Sequence, residues 1–95
     1  MTAQTCSDPC GEVARESADD ALAIERFAAH MFAKLRANMH KAHWSTVEEA
    51  WLFARLVEEV GELAAALLAH DEDAIRDECA DVGNFAMMIH EWRGR

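Results

Sequence analysis

An all-α fold is predicted for this chain: an antiparallel helical hairpin preceded by an N-terminal helix. Three observations predict it. Apolar residues recur at helical spacing in three long segments, no stretch alternates with strand period, and glycine and proline are scarce, at four and one in 95 residues. The length allows one domain. Hydrophobic residues make up 52% of the chain, more than so short a monomer buries, so a homo-oligomer, dimer or tetramer, is expected to cover the excess.

Residues 1–18 hold Pro9, Gly11 and small polar residues and are read as a flexible N-terminal arm, leaving 19–95 as the domain. Helix one is predicted from about Asp19 to about Met39, with Ser17 or Asp19 as cap and Ile24, Phe27, Met31 and Leu35 as its apolar stripe. A polar and aromatic connector follows, from Asn38 to Trp44. Helix two opens on a capping box, Ser45 with Glu48, and runs to about Ala69 on the stripe Leu52, Leu56, Val60, Leu63 and Leu67. His70-Asp71 is a very short turn, with Asp71 capping helix three, which runs from about Glu72 to about Trp92 on Ile75, Cys79, Val82, Ala86 and Ile89; Gly94 is its stop. So short a turn makes helices two and three antiparallel.

The net charge is −9, from 18 acidic and 9 basic residues. That balance argues against binding a nucleic-acid polymer or an anionic membrane, both of which are held by basic patches. A free nucleotide stays open, because metal ions can carry the positive charge. The first 20 residues lack an apolar run and no stretch is long and apolar enough for a membrane span, so a cytoplasmic protein is expected. Cys6, Cys10 and Cys79 make no disulfide framework, and Cys79 reads as a small core residue. No histidine follows a glutamate by three positions, which removes a ferritin-like di-iron bundle.

Two acidic pairs carry the chemistry: Glu59 with Glu62, and Glu78 with Asp81. With Leu56 as the centre of helix two's buried face, Glu59 falls about 60° and Glu62 about 120° to one side; Glu78 and Asp81 take about the same offsets from Ile75 on helix three. Phe85, Met88 and Trp92 share the second flank, so these acids sit among large apolar side chains, whereas Glu72 and Asp77 project elsewhere as surface charges. Gathered carboxylates repel one another and lose hydration, which divalent cations can neutralise. In a chain this acidic the same spacing also arises on a solvated helix face, where Arg55 would pair with Glu59.

Glu58-Glu59-Val60-Gly61-Glu62-Leu63, followed by Glu78-Cys79-Ala80-Asp81 and the run Asp81 to Ile89, resembles the E-E-V-G-E-L … E-x-x-D pattern of MazG-like all-α nucleoside triphosphate pyrophosphohydrolases. The resemblance covers about residues 27 to 92. It implies Mg²⁺ (with Mn²⁺ as a substitute) on Glu59, Glu62, Glu78 and Asp81. It also implies hydrolysis of (deoxy)nucleoside triphosphates to monophosphate and pyrophosphate, and a dimer or dimer of dimers with a four-helix-bundle core. Such chemistry asks mainly for positioning and charge neutralisation. Glu58 is the candidate for activating the water. Lys41 is a candidate phosphate contact, Trp44 a candidate base stack and Asn84 a candidate contact to sugar or base or, equally, to a second subunit. His43 stands where some relatives carry small residues. Trp51 and Trp92 read as core or interface. Phosphoribosyl-ATP pyrophosphohydrolase is a second enzyme reading on the same fold. A non-catalytic helical interaction module is a reading of another class, against which stands the presence of all four acids.

Overall fold

The computed structural model describes residues 9–38 and 43–93. Among them it is all-helical: α1 (Pro9–Ala37), a 3-10 turn (Trp44–Thr46), α2 (Glu49–Ala69) and α3 (Glu72–Trp92). Lys41, Cys6, His40 and Gly94 lie outside the described residues.

The first helix starts at Pro9, well ahead of the expected Asp19. From Val13 to Ala18 its added turns are exposed, so burial does not hold that stretch. They include the strong helix formers Ala14, Arg15, Glu16 and Ala18, and proline suits a first turn, where its missing N–H costs no bond. Glu12 in the first turn and Lys34 and Arg36 in the last complement the helix dipole. Of the expected stripe, Met31 and Leu35 are half-buried, while Ile24 and Phe27 remain exposed.

The capping box at Ser45 does not form. His43 claims that segment instead: its Nδ1 accepts from the Ser45 amide at 3.1 Å and lies 2.7 Å from Ser45 Oγ, while Thr46 Oγ1 donates to the His43 carbonyl at 2.7 Å. A ring nitrogen two residues upstream thus satisfies the amide and tightens the chain into a 3-10 turn. Helix α2 begins later, with Glu48 in the cap position and no side-chain cap bond.

The α2–α3 turn matches expectation. His70 adopts φ 55 and ψ 35, and the Asp71 amide donates to the Ala66 carbonyl at 3.2 Å, closing the end of α2. Asp71 Oδ1 accepts from the Ala74 amide at 3.1 Å and caps α3.

Helix α3 is the central element, packed on α2 along one side and on α1 along another. Ala80, Asn84 and Met88, one turn apart, are buried. On α2 the buried residues are Leu52, Glu59 and Ala66. The buried face is therefore rotated from the expected stripe: Glu59 stands in it, while Val60 and Leu67 face out.

Helix α1 docks on α3 at Gly83. A Cβ there would lie 2.7 Å from Phe27 Cζ and 3.1 Å from Met31 Sδ. Asn84 Nδ2 donates to the Met31 carbonyl at 3.0 Å, and His30 meets Asp77 at 2.9 Å. Gly83→Ala is expected to change stability by less than ~1 kcal/mol, because the gain in helix propensity offsets a shifted Phe27 ring. Gly83→Leu is expected to cost ~2 kcal/mol or more by prising α1 away. Denaturant unfolding of the two variants checks both, and equal stabilities would mean that α1 does not pack here.

Candidate metal centre

Three carboxylates converge between α2 and α3. Glu59, Glu78 and Asp81 each offer an oxygen, all within 4.8 Å of one another. The tight His70 turn sets the two helices side by side, and the i, i+3 spacing on α3 aims Glu78 and Asp81 at the same flank. Glu59 is 5% exposed, and Glu78 and Asp81 are half-buried. With both carboxyls ionised, no donor among the described residues reaches Glu59 Oε1 or Glu78 Oε1, both of them buried.

Burial pushes Glu78 from an ordinary 4.5 up to about 7, helped by hydrogen bonding with Glu59 and by the charges of Glu62, Glu59 and Asp81. Burial raises Glu59 too; sharing the Glu78 proton and the charge of Arg55 work against the rise, and Glu62 and Asp81 add to it. Buried, unpartnered carboxylate oxygens close enough to share a proton satisfy themselves better by sharing a divalent ion, so the donor set fits a hard oxygen-loving cation such as Mg²⁺.

Glu62 is exposed and its carboxylate stands outside the close trio, acting on it through charge. Glu58 is exposed, yet its carboxylate is drawn back by Arg55, whose Nη1 reaches Glu58 while Nη2 holds Glu59 Oε2 at 3.0 Å. The Arg55 guanidinium also lies over Phe85 at 5.5 Å and Trp51 at 6.0 Å. Asn84 is buried in the α1–α3 contact, with its amide nitrogen on Met31. Trp44 is half-buried in the 3-10 turn, its ring 5.0 Å from that of His43. Trp51 is 51% exposed, edge-on to Phe85, and borders a shallow cleft of about 330 Å³ with Thr46, Val47 and Glu48.

Two basic residues at the centre had little or no sequence signal. Arg55 was legible only as an i, i+4 partner of Glu59. Lys34 reaches Asp81 at 3.5 Å from another helix, which no local pattern announces.

Comparison with known proteins agrees with this geometry. Residues 47–89 match the family model described as "MazG nucleotide pyrophosphohydrolase domain", a stretch that includes all four acids. The chain belongs to the MazG-like family. The MazG domain makes it a nucleotide pyrophosphohydrolase in kind, a hydrolase of phosphoanhydride bonds. The chain is also similar to an uncharacterized protein of Archaeoglobus fulgidus, 34% identical over 70 residues that span 68% of this chain and 75% of that protein. No solved structure matches it. Among the described residues of this MazG-like chain, no helix is long and apolar enough to cross a membrane.

Proposed function

We propose that this protein is a Mg²⁺-dependent pyrophosphohydrolase that converts (deoxy)nucleoside triphosphates to monophosphate and pyrophosphate. The observation that carries the reading is the trio Glu59, Glu78 and Asp81, with two buried oxygens that, once both acids are ionised, no donor among the described residues satisfies. Glu59, Glu78 and Asp81 would hold the ion, with Glu62 completing the set from the rim. A divalent ion there supplies Lewis acidity and neutralises phosphate charge.

The chain's own residues do the rest. Arg55 holds one oxygen of Glu59 and leaves the other for the site. Glu58, bracketed to Glu59 by the same guanidinium, is the proposed base for the attacking water. The nucleoside is proposed to lie toward the N-terminal end of α2, where Trp44 and Trp51 present aromatic faces for a base. Trp51 precedes Glu59 by about 12 Å along the helix axis, a span of the order of an extended nucleotide.

The oligomer is part of the proposal. Phe53, Val57, Val60 and Leu67 form a second apolar stripe on α2, all of it exposed. The radius of gyration is 17.4 Å, against about 12 Å for a compact domain of this length. A second copy covering that stripe would bring α2 and α3 of each chain into a four-helix core.

The deciding experiment is pyrophosphate release from a panel of ribo- and deoxynucleoside triphosphates, with Mg²⁺ and with EDTA. Metal-dependent release identifies the substrate class. No release from any member would move the activity to phosphoribosyl-ATP or leave an interaction module. Asp81→Asn is expected to cut turnover roughly a hundred-fold or more with unchanged helicity. Asp77→Asn, at a side chain 53% exposed and paired with His30, is expected to change it less than two-fold. Similar losses in both variants would contradict the ligand assignment.

A further inference from the structure

We propose that Lys34, carried in by α1, is a substrate-contacting residue that meets the polyphosphate beside the acidic cluster; this rests on the pyrophosphohydrolase reading. A triphosphate approaching clustered carboxylates meets like charge, and the protein must set cations between them. Two described cations touch the cluster. Arg55 is committed on every side, to Glu58, to Glu59 and to the faces of Phe85 and Trp51. Lys34 is not. Its ammonium lies 3.5 Å from Asp81 Oδ2, with the two side chains 28% and 24% exposed. That distance is longer than a tight charge-assisted bond, so Asp81 positions the ammonium without saturating its three donors.

The docking of α1 makes this placement specific. His30 pairs with Asp77 one turn before Lys34 pairs with Asp81, Phe27 and Met31 lie over Gly83, and the Met31 carbonyl accepts from Asn84. A lysine needed only for the dipole of α1 would serve equally on the solvent side, as Arg36 does. Lys34 instead faces α3 and delivers the only described lysine to the carboxylates.

Titration calorimetry with pyrophosphate in Mg²⁺ tests the assignment, beside steady-state kinetics on the triphosphate that the wild type hydrolyses. Lys34→Gln is expected to weaken pyrophosphate binding ten-fold or more and to raise KM more than it lowers kcat, and Lys34→Arg is expected to restore most of both. His30→Ala removes the neighbouring α1–α3 pair without removing a cation from the cluster and is expected to leave pyrophosphate binding within two-fold of wild type. Equal binding by wild type and Lys34→Gln would overturn the assignment while leaving the enzyme reading intact. An equal loss in His30→Ala would overturn it too, by tracing the effect to the docking of α1. A wild type that neither binds pyrophosphate nor releases it from any triphosphate would bring down both readings.

Discussion

Glu78→Gln is expected to make the metal-free protein more stable and to abolish its turnover. The wild-type carboxyl is forced up to about 7 by burial and by its acidic neighbours, so ionising it at neutral pH and above works against the fold. Glutamine keeps the shape, removes the charge and offers Glu59 an N–H where only another acid stood. Each pKa unit is worth about 1.4 kcal/mol, and solvent access trims the gain to about 1–2 kcal/mol at pH 8. For a domain of this size that is a rise of about 5–10 °C in melting temperature. Turnover should disappear because the proposed ligand set loses a charge. Thermal melts in EDTA at fixed protein concentration, beside a pyrophosphate assay in Mg²⁺, read both effects. A lower melting temperature would mean that the cluster is not repulsive in the folded chain, and retained turnover would remove Glu78 from the ligand set.

The metal-free protein should also lose stability as pH rises from about 4.5 to about 7. The sign follows from proton counts. Glu78 titrates at 4.5 when unfolded and near 7 when folded, and Glu59 is displaced in the same direction. Within that window the folded state binds more protons than the unfolded one, so raising the pH favours unfolding. Below about 4.5 both states are protonated and this contribution to stability is fully present. Divalent ions held as proposed should reverse the trend, because they would bind the deprotonated acids and release protons, and their stabilisation should grow with pH. Melting curves from pH 4.5 to 8, in EDTA and in saturating Mg²⁺, should diverge as pH increases. Parallel curves would show that no ion binds these carboxylates.

The parts of the fold legible in the sequence are those governed by local chemistry. Asp71 as a cap, the short turn at His70, the C-terminal end of α2 and both ends of α3 follow from neighbours in the chain, and they decide that Glu59 and Glu78 lie on facing helices. The flank assigned to Glu59, Glu78 and Asp81 by periodicity is the one on which their oxygens converge. Other features depend on competition that periodicity cannot weigh. Ser45 had a good capping partner in Glu48, yet His43 Nδ1 takes its amide first. Residues 9–18 are helical, with no apolar stripe to signal it. Val60 is more apolar than Glu59, so an apolar count turns α2 the wrong way; the carboxylate occupies the inner face and the valine the outer. Lys34 and Asn84 take their places from the docking of α1, a tertiary contact invisible to any window along the chain.

The two-residue bend at His70-Asp71 has a kinetic consequence. The hairpin it closes is a local structure with little loop entropy to overcome, whereas His30 finds Asp77 across 47 positions. The carboxylates are therefore expected to assemble with the hairpin, before α1 delivers its lysine. During folding the chain would pass through a stage in which the acids are gathered and, of the described cations that reach them, only Arg55 is in place. Ions able to settle among those acids would then lower the barrier itself, so Mg²⁺ should quicken refolding as well as slow unfolding.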